Sequence, residues 1–503
     1  MAAALSCSTC RKQKRRCSRE LPTCELCRKN RRTCSYPPEA LNTDIGVVAN
    51  SSQNEFPRLF FLDSFLYEYM KTTLRAPFRG LPPNFASLLE NESALQNAVN
   101  GYFNSTHQYF PIVSKLRLYQ KLDQSPWKSQ PVDVVLLIII MQLFTNAEDA
   151  HRTTQDLYCT IKQLVANLEA RGLLTCRFLQ AYTLLTLYEL GHGIYPAAYL
   201  SVGHCARLGQ VIGLHDRRST PQLAQSGSWA ENEEQGRIWW GILLLDRYTS
   251  IGLCGRPFAI EDATPDAILP QSDTQWDSGE LSIRPSLAVS ALVDTGIPIS
   301  PFARTCQAAH LLSRVLSHVN SQPQDRGDML SWYQAGGQIA KVVESFRAAI
   351  VYEAECPIHD VDTSTIPSSL DSARGLVYSA LIVLYDAHSC AEKDYPGGIG
   401  SPEQLSIQRI SLEGILRLCC NEVVGFALSV SDRIREKGMG DISPFIADSF
   451  YAAARHQIWY WKETQKAELL DSIRDTTKAL RTLGRFWNVA GEYLRILEEF
   501  QEH

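Results

Sequence analysis

From Phe56 to His503, apolar residues recur every three to four positions, the spacing that lays one stripe along an α-helix. The stretch YPAAYLSVGHCARLGQVIGLHD sets Tyr195, Tyr199, Val202, Ala206 and Ile212 on such a stripe, with Pro196 in the first turn and Gly213 as the stop. ENEEQGRIWWGILLLDRYTSIGL opens on Glu231, Glu233 and Glu234, acids that suit a helix N-terminus. It then turns apolar on nearly every side, which predicts a helix at the centre of the core. The same periodicity predicts helices over Ala303–Val319, Met329–Val351, Arg374–Cys390, Pro402–Val430 and Phe445–Lys462. No stretch sustains the alternation of a strand, and no period of about 20–50 residues repeats. The predicted fold class is mainly α, with residues 56–503 as one large all-helical domain.

The first 55 residues break that pattern, and composition shows how. The chain of 503 residues is 45% hydrophobic and 20% charged, an ordinary globular balance able to bury a large core. Its first 34 positions hold six cysteines, and ten Lys or Arg against Glu20 and Glu25, a net of +8; the whole chain is −5, which leaves −13 for residues 35–503. A basic head on an acidic body points to an anionic partner for the head alone. MAAAL lacks the charged start of a secretory leader. The longest apolar run, Val134–Met141, falls far short of the roughly 20 residues that cross a bilayer. The expectation is a soluble intracellular chain with no membrane partner, whose clustered cysteines are metal ligands rather than disulfides.

Cys7, Cys10, Cys17, Cys24, Cys27 and Cys34 form two copies of C-x2-C-x6-C. A C-x2-C pair aims two thiolates at one ion from one turn, and the six-residue gap is long enough to return a third. Each half thus offers three sulfurs to a metal that takes four. Six sulfurs satisfy two tetrahedral Zn²⁺ ions only if two of them bridge, and the repeat makes Cys7 and Cys24 the symmetric choice. With no position left open, the site is structural rather than catalytic. Six thiolates and two Zn²⁺ carry −2, so the head stays at about +6. The remaining nine of the 15 cysteines show no ligand spacing and read as small core residues.

This stretch resembles the fungal Zn2Cys6 binuclear-cluster transcription factors, in its cysteine spacing, the basic run Arg11–Arg16 and the Leu21-Pro22 loop before Cys24. The resemblance implies a DNA-binding head over residues 1–36 with two zinc ions and bridging first and fourth cysteines. It also implies a turn at Pro22 and a short helix starting at Cys10 whose end enters the major groove. It places Lys14 on the bases of a CGG-type triplet in double-stranded DNA, where guanine offers the N7 and O6 acceptors. Arg11, Lys12, Gln13, Lys14, Arg15 and Arg16 cannot all face bases from one helix, so some must hold phosphates, as Arg28, Lys29, Arg31 and Arg32 are mostly expected to do. Gln13 departs from the often basic residue of the family. It removes a phosphate contact or alters the preferred triplet, since Gln pairs with adenine. Nuclear import is the other reading of the basic run.

Residues 37–55 read as a polar linker. Leu41, Ile45 and Val48 keep helical spacing, but Asn50, Ser51 and Ser52 end it well short of the three or four heptads of a coiled coil. A homodimer would form elsewhere; binding as a monomer is the alternative. Gly213-Leu214-His215, Trp239-Trp240, Asp246-Arg247 and Gly255-Arg256-Pro257 resemble the middle homology region of fungal zinc-cluster regulators over roughly residues 95–320. Residues 330–503 carry no nameable motif.

Three constellations imitate sites. Glu189 and His192 share the i,i+3 spacing of some metal ligands but lack a second pair. Asp246, Arg247 and Arg256 read as a buried ionic network, with ligand sensing as the other reading. The acids Glu261, Asp262, Asp266, Asp273, Asp277 and Glu280, without a Lys or Arg among residues 261–280, read as a solvated loop or an activation surface. The acidic amphipathic tail EYLRILEEFQEH allows the same two readings. No phosphate loop or serine elbow is present. The expected function is a nuclear, sequence-specific DNA-binding transcription regulator, not an enzyme. It would be an activator that works with the transcription machinery, serving a metabolic or secondary-metabolite gene cluster. The rivals are an enzyme with a helical catalytic body and a zinc-dependent protein-interaction module.

Overall fold

The computed structural model describes residues 6–20, 23–30, 32–34, 58–70, 77–145, 151–216, 223, 227–253, 255–280, 286–290, 299–323, 326–355, 370–389, 402–438 and 440–502. The linker and its Leu41, Ile45 and Val48 lie outside these. The chain divides into two compact units, Met1–Gln53 and Asn54–His503. The first holds α1 (Ser8–Lys12) and α2 (Glu25–Lys29). The second begins with α3 (Arg58–Leu62), α4 (Ser64–Tyr69), α5 (Glu92–Asn104), α6 (Lys115–Asp123), α7 (Val132–Leu143), α8 (His151–Ala170), α9 (Cys176–Gly191), α10 (Ala197–Ile212) and α11 (Trp229–Thr249). It continues with α12 (Asp273–Ser278), α13 (Pro301–Asn320), α14 (Arg326–Glu355), α15 (Asp371–His388), α16 (Pro402–Arg417), α17 (Val423–Lys437), α18 (Ala447–Thr464), α19 (Glu468–Leu483) and α20 (Asn488–Glu502). Among the described residues there is no strand, only the isolated bridges Arg79–Pro131 and Ile268–Ala288.

Helices that are apolar all round occupy the centre. The apolar run of α7 is buried from Val132 to Met141, and α9 is buried from Phe178 to Gly191. Ser228 caps α11 by accepting from the Glu231 N–H, as a serine N-cap does. Beyond Glu234 that helix buries nearly every residue between α9, α10 and α13. Gly209 of α10 lets α11 approach closely; a Cβ there would lie 2.8 Å from the Trp239 ring. α10 ends at Gly213, whose φ of 94° is the left-handed C-cap conformation that glycine adopts freely.

The structure shifts two of the helical readings. The inner face of α10 is Ala198, Val202, Cys205, Ala206 and Ile212, whereas Tyr195, which precedes the helix, is 53% exposed and Tyr199 38%. The single helix expected over Pro402–Val430 carries a π turn, Leu418–Glu422, between α16 and α17. There the Gln457 amide donates to the Cys419 carbonyl at 2.5 Å, a side chain inserted into the ladder. By length and composition Pro402–Glu436 could span a bilayer. It packs instead against α14, α15, α18 and α19. Among the other cysteines Cys205, Cys306 and Cys419 are core residues, but Cys159 is exposed, because α8 turns Tyr158, Ile161, Leu164 and Val165 inward.

Candidate metal centre and nucleic-acid interface

Two short helices carry the sulfurs of the head, and each is built the same way. Cys7 precedes α1 and accepts from the Cys10 N–H at 3.4 Å; Cys24 precedes α2 and accepts from the Cys27 N–H at 3.5 Å. Each helix closes with a bond across six residues, Arg15 N–H to the Cys10 carbonyl and Arg32 N–H to the Cys27 carbonyl, both 3.0 Å. In the first half this closure has Lys14 at a φ of 49°, the left-handed residue that a Schellman ending requires. The threonine hydroxyl of Thr9 then ties the halves together by donating to the Thr33 carbonyl at 2.7 Å.

These caps and closures gather the sulfurs. Cys7, Cys10, Cys17 and Cys24 lie within 4.8 Å of one another, as do Cys7, Cys24, Cys27 and Cys34, so the two groups share Cys7 and Cys24. Zn–S bonds of about 2.3 Å set the corners of a tetrahedron about 3.8 Å apart. The Cys7–Cys24, Cys7–Cys27 and Cys10–Cys24 sulfurs are each separated by 3.7 Å, so the donor set fits the ion. Burial pushes the Cys10 thiol up to about 12. Burial also pushes on Cys7 and Cys24, yet the backbone N–H donors at Cys10 and Cys27 bring those two below the ordinary thiol value. The two sulfurs common to both groups are thus lowered, whereas burial raises Cys10 and Cys27.

Around this core Lys12, Gln13, Lys14, Arg15, Arg16, Arg28 and Lys29 are all exposed. The side chain of Arg11, and Leu21, Pro22 and Arg31 altogether, fall outside the described residues. The helix starts at Ser8, not at Cys10, because Cys7 caps it. It ends at Lys12, so the basic run is not one helix: Gln13 and Lys14 form a turn and Arg15 and Arg16 follow it. One contact that the sequence does not signal appears here. The Arg32 guanidinium donates to the Gln13 side-chain oxygen at 2.6 Å.

The imitative constellations of the body resolve differently. Glu189 is fully buried and accepts from the Tyr158 hydroxyl at 2.9 Å and Lys162 at 2.7 Å, while His192 packs on the Tyr188 ring. They form no metal pair. Arg247 is fully buried and pairs with Asp246 at 2.5 Å and Asp262 at 2.7 Å, over the Phe258 ring at 4.0 Å. The third member expected, Arg256, is exposed; Asp262 replaces it. Asp246 also accepts from the Ala259 N–H at 3.1 Å, so the network pins the loop after α11. The acids of residues 261–280 divide: Glu261, Asp266 and Glu280 are exposed, whereas others are tied to the body. Asp273 pairs with Arg237 at 2.7 Å, Asp277 with His107 at 3.0 Å, and Trp276 is buried beneath the Arg237 guanidinium at 4.1 Å. Two arginines inside a helix that is apolar all round are the signal that nearby acids must turn inward.

Comparison with known proteins agrees with both halves. Residues 5–42 match the fungal Zn(2)-Cys(6) binuclear cluster domain, and residues 99–332 match the fungal specific transcription factor domain. The chain is 48% identical to "Transcription factor BOA15" of Botryotinia fuckeliana over 139 residues, 27% of this chain and 76% of the relative. It is 26% identical to "Transcription factor tazR" of Aspergillus terreus over 359 residues, 68% of this chain and 53% of the relative. It is 27% identical to "Pigment biosynthesis transcriptional activator pigB" of Monascus ruber over 229 residues, 43% of this chain and 41% of the relative. The chain thus spans about half, or less, of the length of the last two.

Proposed function

We propose, for a chain that belongs to the fungal Zn2Cys6 transcription factors and whose head binds two zinc ions and DNA, that Lys14 reads bases while its basic neighbours hold phosphates. The observation that carries this is the left-handed turn at Lys14. It sets that side chain just past the end of α1, on a backbone tied by the Arg15–Cys10 bond to a residue of the sulfur core. A base reader must be held in a fixed geometry, whereas a phosphate contact tolerates movement. The ligands of the two ions are Cys7, Cys10, Cys17 and Cys24, and Cys7, Cys24, Cys27 and Cys34, with zinc supplying a covalent crosslink between the halves. Lys12, Arg15, Arg16, Arg28 and Lys29 supply the salt-dependent part of the affinity.

The preferred site is a CGG-type triplet, because guanine presents two acceptors to a cation. Residues 1–36 are the DNA-binding domain, 37–55 the linker and 56–503 the regulatory domain. The protein acts in the nucleus, as an activator of a biosynthetic gene cluster and not as an enzyme. The relative named for pigment biosynthesis supports the cluster assignment. The test is a titration of Lys14→Ala and Arg28→Ala on CGG-type and scrambled duplexes at several salt concentrations. Lys14→Ala is expected to lose about 1–3 kcal/mol of discrimination between the duplexes. Arg28→Ala is expected to weaken both equally and to lower the salt slope by about one. A Lys14→Ala protein that keeps its preference and changes only the salt slope overturns the assignment.

A further inference from the structure

The Gln13–Arg32 bond decides what Gln13 offers to DNA. A guanidinium carries only donors, so the amide must turn its oxygen toward Arg32 and leave its NH2 outward. The backbone of Arg32 is anchored. Its own backbone N–H closes α2 on the Cys27 carbonyl at 3.0 Å, and the neighbouring Thr33 carbonyl accepts from Thr9 of α1 at 2.7 Å. Gln13 is held from its side too, with its N–H on the Thr9 carbonyl at 3.2 Å. These anchored backbones bring the two exposed side chains within reach of each other.

The chemistry follows. Gln reads adenine by using both ends of its amide, the oxygen accepting from N6–H and the nitrogen donating to N7. Here the oxygen already serves a cation, and the positive charge beside it disfavours the approach of another donor. What the pair presents is the Gln13 NH2 and the remaining Arg32 N–H groups, all donors. We propose that Gln13 and Arg32 act together as a guanine-reading unit, and that Arg32 is the specificity-determining residue that keeps Gln13 from reading adenine. This rests on the reading above, that the turn after α1 faces base edges.

The experiment uses the zinc-loaded full chain and duplexes in which each base pair of a CGG-type site and its flanks is changed in turn. Gln13→Ala locates the position that the unit reads, by flattening preference there. At that position the wild type is expected to lose about tenfold in affinity when guanine is replaced by adenine. Arg32→Ala is expected to raise adenine to at least the level of guanine at that position and at no other, and Arg32→Lys, which still supplies a donor, to keep guanine. Uniform weakening of every duplex by Arg32→Ala overturns the proposal, since Arg32 is then a phosphate contact. Loss of zinc from Arg32→Ala overturns it too, since the bond is then structural. If Gln13→Ala flattens no position while Lys14→Ala still flattens one, the unit fails and the DNA reading stands. If neither does, both fall.

Discussion

The head and the body solve the same problem with different materials. Among the described residues of the head, only Cys7, Cys10, Cys24 and Cys27 are buried, and Cys17, Leu26 and Cys34 pack partly against them. The body instead closes hydrocarbon from α7, α9, α11, α13 and α15 into one contiguous core. A unit of some thirty residues has too much surface for its volume to be held by apolar burial. Sulfur–metal bonds replace that burial, and they leave the whole outside of the head free to carry charge. The body has no such freedom. Two of its buried charges, Arg237 and Arg247, each pair with an acid from beyond α11, Asp273 at the start of α12 and Asp262 in the loop before it.

The difference is broken most directly by a chelator. Structural zinc sites supply on the order of 10–16 kcal/mol of folding free energy, and the head has no other source of that size. Chelation is expected to abolish DNA binding while the helical circular dichroism of the body persists, as it should for residues 56–503 expressed alone. A body that melts with the head would show the two units to be one cooperative structure.

Arg247 tests the other side of the comparison. Arg247→Ala leaves Asp246 buried without its cation and Asp262 with only the Ser313 and Ser317 hydroxyls. Breaking such a network costs about 3–5 kcal/mol. A thermal melt should show the body destabilised by that order, while zinc content and the intrinsic DNA preference of the head stay unchanged. A loss within a few tenths of a kcal/mol would mean that the network does not hold the loop.

A smaller effect comes from two histidines in the body. His318 and His388 face each other at 3.0 Å between their Nε2 atoms, His318 stacked on Trp332 and His388 tilted against it, and a Cβ on Gly336 would strike both. Burial pushes His318 down to about 4 and His388 down to about 3. A histidine whose folded value lies below its unfolded value of about 6.5 binds fewer protons in the fold. Stability is therefore full above that value and falls as the pH drops toward 4. Melts of residues 56–503 at pH 7 and pH 5, with and without His388→Gln, check the sign: the variant should lose part of the pH dependence.

Where the chain's constraints are local, the sequence announces them. Metal ligands need fixed spacings, so C-x2-C-x6-C written twice implies sulfurs shared between two sites. Core helices need a repeating apolar face, so α11, α13, α14 and α15 are visible as periodicity within a few residues of their ends. Contacts between distant residues leave no such trace. Gln13 and Arg32 are separated by a helix and a turn, and nothing in either residue names the other. The acids of residues 261–280 look solvated when counted, although three of them are bound by Arg247, Arg237 and His107. Tyr195 and Tyr199 fit a helical stripe, but the first lies before the helix and the second on its outer side. Periodicity gives spacing along a helix and not which neighbour the helix meets.

Native mass spectrometry of the full chain tests most directly whether two sulfurs are common to two metal sites, because it counts the ions. Two zinc ions are expected in the wild type, none in Cys7→Ser or Cys24→Ser, and one in Cys10→Ser, because only Cys7 and Cys24 belong to both sulfur groups. A wild type carrying one ion, or a Cys7→Ser protein that holds one as firmly as Cys10→Ser does, would contradict it.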